Sequence, residues 1–178
     1  MKGNSRIITN RYESPCGTLM LGSFGGRLCL CDWQVERHRG HVERRLRRML
    51  GAELEEGTSQ VIDKATTQLD EYFAGARREF DVPLLFTGTD FQKKVWDALL
   101  TIPYGQTISY GEMARQIGMP TAVRAVANAN GANAISIFAP CHRVIGSDRK
   151  LTGYAGGLAA KEYLLSLEMS RMSEADNH

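Results

Sequence analysis

The chain changes character near residue 86, and that change limits what it can build. Before it, three strand-like runs precede two helix-like ones. After it, almost every apolar stripe has helical spacing. Arg6–Tyr12, Thr18–Phe24 and Arg27–Trp33 read as strands. Ser14-Pro15-Cys16-Gly17 makes the first turn between them and Gly25-Gly26 a hairpin turn. Glu36–Leu50 places Val42, Leu46, Met49 and Leu50 at helical spacing, with Arg37, Arg44, Arg45, Arg47 and Arg48 on the other face. Glu36 and Glu43 interleave with those arginines, which favours a solvated helix face over a nucleic-acid surface. Val61–Phe73 is a second helix, with Gly75 as its C-cap. Phe80–Phe86 is a strand or linker interrupted by Pro83. An α/β unit over 1–85 is therefore expected.

The second half opens at Thr89-Asp90-Phe91-Gln92, a capping-box pattern. The helix it starts carries Phe91, Val95, Trp96, Leu99 and Leu100 as its stripe. Ile102-Pro103-Tyr104-Gly105 ends that helix. Ser109-Tyr110-Gly111-Glu112 repeats the pattern and starts a helix with Met113, Ala114 and Ile117 inward. Gly118-Met119-Pro120 then turns the chain into Thr121–Asn130, closed by Gly131. Two helices around a short turn make a helix-turn-helix candidate, although ordinary helix pairs look the same. The second helix is lined by Ala122, Ala125, Ala127 and Ala129, with Arg124 among them. Small side chains suit close helix packing or close approach to a groove, with Arg124 as a probe.

Pro140-Cys141-His142-Arg143-Val144-Ile145 follows an apolar run, Ala134–Ala139, that reads as a buried strand. Cys141 is either a packed core thiol or a nucleophile. The thiolate is the reactive form, so a nucleophile needs a base. His142 is adjacent, but neighbours in a strand face opposite ways, so it can act only in a turn or through water. Glu168, on a helix over Leu158–Met169, can hold that imidazole. Asn133 can fasten the turn around Cys141. Gly153-Tyr154-Ala155-Gly156-Gly157 is a flexible loop with one aromatic wall.

Composition excludes several classes. Net charge is +2, so extended electrostatic wrapping of nucleic acid is not expected. No apolar run is long enough to span a membrane. The first residues lack the core of a signal peptide, so the chain is expected in the cytoplasm with Cys16, Cys29, Cys31 and Cys141 as free thiols. Cys29 and Cys31 alternate in a strand and should share a face. With His38 and His41 they match no standard zinc spacing, so no metal is expected.

Taken together, these segments resemble the methylated-DNA–protein-cysteine methyltransferase family, the O6-alkylguanine-DNA alkyltransferases. Pro140–Val144 is similar to the family's nucleophile motif. Thr107–Tyr110 and Ala122–Val126 resemble its helix-turn-helix. Leu151–Gly157 and Lys161–Leu165 resemble its substrate loop and final helix. Ser14–Leu19 and Tyr72–Gly75 also fit.

The resemblance implies a ribonuclease-H-like α/β domain over 1–85, with a small antiparallel sheet and helices. It implies a mostly helical, winged-helix-like domain with the helix-turn-helix over 86–170. Residues 171–178 are expected to form a disordered tail. It further implies single-use transfer of an alkyl group from O6 of guanine, or O4 of thymine, to Cys141. His142 would activate the thiol through water, Glu168 would hold His142, and Asn133 would join the reading helix to the site. Tyr110 would protonate the leaving guanine. Val144, Tyr154, Ala155 and Gly156 would bind the base.

DNA would be met by Arg124, Tyr110, Gln92, Gly111, Ala125 and Ser147. The partner would be double-stranded DNA entered from the minor groove with little sequence preference. The protein would need no cofactor and would act as a monomer, with cooperative binding along DNA a further expectation. Met119 and Ala155 depart from polar residues found in some members. A Cys–His hydrolase and a non-enzymatic helix-turn-helix regulator are the competing readings. The first needs an oxyanion hole, and the second needs base-reading side chains that the alanines do not supply.

Overall fold

The computed structural model describes residues 6–35, 40–148 and 153–176. Strands β1 (Arg6–Ser14), β2 (Gly17–Phe24) and β3 (Arg27–Trp33) form an antiparallel meander. Helix α1 (His41–Leu50) then carries the chain across to β4 (Glu53–Glu56), and the sheet order is β3-β2-β1-β4. β4 lies parallel to β1, so the sheet is mixed rather than wholly antiparallel. The crossover through α1 makes the parallel pairing possible, since a tight turn can join only antiparallel neighbours. β4 has no signature in the sequence: Glu53-Leu54-Glu55-Glu56 offers one apolar side chain. The described part of the expected 36–50 helix is α1, and Glu36, Arg37 and His38 fall outside the described residues.

The expectation that Cys29 and Cys31 share a face is corrected. The β2–β3 register shifts at Gly22/Ser23, where Leu30 opposes Gly22 and Leu28 opposes Ser23. This bulge turns Cys29 and Leu30 toward Ile7, Leu46 and Ala52 under α1. Leu28, Cys31 and Trp33 face the other way, toward α2 (Gln60–Phe73). Gly22 is required at the bulge, because a Cβ there would lie 2.8 Å from the Leu30 Cβ.

The free edge of β3 is covered by two pieces of later chain. Leu28 N–H donates to the Pro83 carbonyl and Leu85 N–H to the Leu28 carbonyl, both at 2.8 Å. Farther along, Cys31 N–H donates to Ala134 and Ser136 N–H donates to Cys31, again at 2.8 Å. Phe80–Phe86 and Ala134–Ala139 are thus not strands of their own. Each touches β3 through one isolated bridge, at Leu84 and at Ile135. In the second segment the chain then folds on itself, with Phe138 N–H donating to Ser136 and Ala139 N–H to Ile135. Ile137 sits there at φ 72°, a costly conformation for a β-branched residue.

The helical half contains α3 (Asp90–Leu99), α4 (Tyr110–Gln116) and α5 (Val123–Gly131), with α6 (Leu158–Asp176) closing the chain. Both expected capping boxes form, Thr89 with Gln92 and Ser109 with Glu112. A short parallel pair, β5 (Ile108–Ser109) with β6 (Val144–Ile145), ties the entry of α4 to the chain after Cys141. Leu100 is exposed and leaves the α3 stripe, whereas Val95, Trp96 and Leu99 are buried. Ala129 packs into the core, Ala122 and Ala127 are half-buried, and only Ala125 is exposed. Helix α6 covers 171–176 of the span expected as a tail, and residues 177–178 lie outside the described residues. Helix α6 runs to Asp176, and Arg171 donates to the Ala74 carbonyl while Arg78 reaches the Met172 sulfur. These contacts with the first half hold the last turns.

Among the described residues no helix is long and apolar enough to cross a membrane. Trp96 Nε1–H donates to the Ala129 carbonyl at 2.8 Å and so joins α3 to the end of α5. Trp96→Phe removes that bond, leaving the carbonyl its longer 3.2 Å contact from Ala132 N–H, and is expected to cost about 0.5–1.5 kcal/mol, read as a lower denaturant midpoint.

Candidate functional site

Cys141, His142 and Arg143 form one turn of 3-10 helix, not the end of a strand. With three residues per turn, their side chains leave the axis about 120° apart and so reach three different surroundings. All three are buried. The turn is fastened from α5 and from the loop after it. Asn130 Nδ2 donates to the Cys141 carbonyl at 3.3 Å. Asn133 Nδ2 donates to the Ala139 carbonyl at 2.9 Å, and its Oδ1 accepts from Ile135 N–H at 3.0 Å. Asn133 therefore holds both ends of the folded segment that delivers Cys141. Asn130 does comparable work and was not singled out in the sequence, where it looks like any polar residue near a helix end.

Glu168 is wholly buried on α6 and collects the donors of three elements. His142 Nε2 donates to Oε2 at 2.7 Å. Arg143 donates from Nε to Oε1 at 2.8 Å and from Nη2 to Oε2 at 3.1 Å. Gly105 N–H donates to Oε1 at 3.1 Å, and the Tyr72 hydroxyl donates to Oε2 at 2.6 Å. Arg143 also gives Nη1–H to the Ile102 carbonyl at 2.7 Å and lies over the Tyr104 ring. Arg143 is thus the structural counter-ion of the carboxylate.

Burial alone would raise the Glu168 pKa, but the hydrogen bonds and positive charges of His142 and Arg143 outweigh it and hold the carboxyl well below its usual range. A carboxylate only accepts, so His142 carries its proton on Nε2. Nδ1 is buried with no hydrogen-bond partner among the described residues and is the basic nitrogen. Burial lowers the His142 pKa, with the Arg143 and Lys161 charges acting the same way and Glu168 opposing them. The imidazole is therefore neutral at rest.

The Cys141 thiol is pushed up by burial, against the pull of the Asn133 amide and the Lys161 charge. At rest it is a protonated, shielded thiol. Lys161 is fully buried on α6 and donates from Nζ to the Val144 carbonyl at 2.8 Å. Tyr154 forms a wall near the thiol: its ring meets Trp33 edge-on, and its hydroxyl accepts from Trp33 Nε1–H at 3.1 Å. Ala155 and Gly156 continue that loop. A Cβ on Gly156 would lie 2.6 Å from the indole, so the glycine is what lets the loop lie against Trp33. A cleft of about 800 Å³ opens on the other side of the turn, beside Pro140, Tyr104 and Arg143. It does not reach Cys141 and so is not the thiol's pocket.

The other sequence candidates lie on the helical half. Tyr110 and Gly111 are the first two residues of α4 and are half-buried. Arg124 and Ala125 are exposed on α5, and Ser147 is exposed in the turn after β6. Gln92 is half-buried at the start of α3, where its Oε1 accepts from Thr89 N–H at 3.0 Å. The Leu151-Thr152 part of the substrate-loop motif lies outside the described residues.

A small mixed-sheet unit and a helical unit, with a buried cysteine next in sequence to a histidine that is hydrogen-bonded to a buried glutamate, fit a protein whose chemistry rests on a cysteine. Two family models divide the chain between them. One is described as 6-O-methylguanine DNA methyltransferase, ribonuclease-like domain, and matches residues 7–86. The other is the DNA binding domain of the same protein and matches residues 90–170.

The curated methylated-DNA–protein-cysteine methyltransferase of Mycobacterium tuberculosis is 64% identical over 107 residues, covering 60% of this chain and 65% of that protein. The one from Methanosarcina acetivorans is 59% identical over 107 residues, covering 60% and 69%. The aligned stretch thus spans just under two thirds of the mycobacterial relative. A crystal structure of Mycobacterium tuberculosis OGT in complex with DNA matches with a TM-score of 0.78 at 48% identity, over 93% of this chain and 94% of that one. The chain belongs to the 6-O-methylguanine DNA methyltransferase family.

Glu168 gives the site a pH signature. Its folded pKa lies below the ordinary 4.5, so its stabilisation is complete above that pH and is lost as pH falls below it. Glu168→Gln leaves Arg143 buried without its counter-ion and is expected to cost about 3–5 kcal/mol near neutrality. Unfolding free energy measured against pH should fall more steeply below 4.5 in the wild type than in the variant.

Proposed function

We propose that the protein repairs DNA by transferring the alkyl group of O6-alkylguanine to its own Cys141, once per molecule. The observation that carries this reading is a buried thiol one residue from a neutral imidazole whose other nitrogen is held by Glu168. His142 Nδ1 takes the thiol proton through a water, and Glu168 stabilises the imidazolium that results. The thiolate attacks the alkyl carbon, a C–S bond forms, and the C–O bond breaks with its electron pair going to the guanine. Tyr110 supplies a proton to the departing base and contacts the target phosphate. The thioether has no leaving group that water can readily displace, so Cys141 is not regenerated.

O6 of guanine is paired inside the duplex, so the base must leave the stack to meet a buried thiol. Arg124, exposed on α5, enters the stack in its place, and Ala125 lets the helix lie close to the minor groove. Gln92, Gly111 and Ser147 steady the backbone. Val144, Tyr154, Ala155 and Gly156 hold the flipped base, and Asn133 links the groove-facing helix to the acceptor turn. Low sequence preference follows, since the minor groove offers little base-edge information. O4-alkylthymine is a second substrate of the same chemistry. The reading includes a ribonuclease-H-like unit over 1–85 and a winged-helix-like unit over 86–170. It also includes action as a monomer in the cytoplasm, with neighbouring molecules assisting one another on DNA.

Incubation with an oligonucleotide carrying O6-methylguanine should add one methyl group to the intact mass, mapped to Cys141 and never exceeding one per molecule. Cys141→Ser should abolish it. Catalytic turnover would instead indicate a hydrolase. Arg124→Ala should slow repair of duplex DNA about tenfold or more while sparing reaction with free O6-benzylguanine. Equal losses on both substrates would remove the stack-entering role.

A further inference from the structure

We propose that Tyr72 is a positioning residue of the acceptor site, its hydroxyl setting how strongly Glu168 pulls on the His142 imidazole. This rests on the reading above that His142 is the base for Cys141. Tyr72 belongs to α2, in the half of the chain that carries none of the acceptor residues. It is fully buried, and its hydroxyl donates at 2.6 Å to Oε2 of Glu168. The same oxygen accepts from His142 Nε2 at 2.7 Å. Two short donors therefore compete for one carboxylate oxygen, and whatever charge Tyr72 draws off is unavailable to the imidazole.

The ring has little freedom to turn away. It meets Phe73 and Tyr104 edge-on at 5.2 and 6.2 Å between centroids, and Phe80 at 5.5 Å. Burial and the neighbouring Glu168 charge push its phenol well above the ordinary value, so it remains a donor throughout the working range. A residue that only held α2 against α6 could do so with a phenyl ring. The hydroxyl adds a contact to the one atom that orients the base.

The direction of the effect follows from the charges around the pair. Arg143 faces Glu168 from the 3-10 turn, Lys161 faces His142 from α6, and Tyr104 flanks Tyr72 and Arg143, with Arg78 over its ring and Arg171 nearby. None of these is altered when the Tyr72 hydroxyl is removed. The freed carboxylate oxygen then binds Nε2–H more strongly and favours the imidazolium, so His142 gains its proton at higher pH. A base must be neutral to work, so the acid limb of the alkyl-transfer rate moves upward.

The test compares wild type, Tyr72→Phe, and protein carrying 3-fluorotyrosine at position 72, which keeps every contact but is a stronger donor. Single-turnover alkylation of Cys141 is followed against pH, and the His142 Nε2–H proton resonance is recorded by NMR. Tyr72→Phe should raise the acid limb by about half a pH unit or more and move the Nε2–H resonance downfield. Fluorotyrosine should shift both the opposite way. An unmoved limb and an unmoved resonance, with only a lower melting temperature, would overturn the proposal. If Tyr72→Phe does not fold, the fluorotyrosine protein decides alone. If wild type is never alkylated, the functional reading fails by itself, and the resonance still reports whether Tyr72 tunes the imidazole.

Discussion

A charged carboxylate with no access to water holds the two halves of this protein in one arrangement. Left unpaired, buried Glu168 would cost several kcal/mol, so its oxygens must be filled. They are filled from α2 by Tyr72, from the loop after α3 by Gly105, and from the 3-10 turn by His142 and Arg143. Displacing any of those elements exposes or orphans a charge. The carboxylate that holds His142 thus also sets the docking of α6, and site geometry and fold stability are the same set of contacts. The sharing has a cost: what one partner draws from Glu168 changes how strongly the others are held.

The edge of β3 is the second constraint. A strand edge with free N–H and C=O groups must be covered or charged. Here it is covered by the segment that ends in the acceptor turn, through the paired hydrogen bonds of Cys31 with Ala134 and Ser136. Those bonds suspend Ile135–Phe138 from the sheet, and the left-handed backbone at Ile137 redirects the chain into Pro140 and Cys141. Strain at one residue is tolerated because Asn133 and the sheet edge hold both sides of it. The same suspension brings Trp33, at the end of β3, against Tyr154 and Gly156.

A thiol raised by burial beside a neutral histidine is quiet until a substrate arrives. Under the proposed function, that suits a group that reacts only once, because thiolate exposed at rest would be spent on other electrophiles. Under the proposed function, His142 and Glu168 take up the charge separation only when the proton leaves sulfur.

Local patterns were legible where neighbours in sequence decide the outcome. The two capping boxes, the turn at Gly25-Gly26 and the α2 and α3 periods follow from side chains three or four residues apart. So does the clustering of a thiol, an imidazole and a guanidinium at 141–143, whose chemistry is carried by residue type alone. The misjudged elements were settled by partners far along the chain. Ala134–Ala139 has the composition of a strand but pairs with β3 only at Cys31 among the described residues, and its remaining hydrogen bonds are local, to itself, Asn133 and Cys141. Cys29 and Cys31 alternate in sequence, yet a bulge opposite Gly22 sends them to different sides. β4 is a strand only because β1 lies open beside it.

The sequence by itself determined where the capped helices start and that a thiol, an imidazole and a guanidinium stand side by side at 141–143, since those depend on short-range hydrogen bonds and on side-chain identity. Only the tertiary structure decided that Glu168 is buried, that Arg143 neutralises it, and that Tyr72, 96 residues earlier, donates to the same oxygen as His142. Such contacts arise from the packing of α2 against α6, and nothing in the local sequence of either helix encodes the other's position.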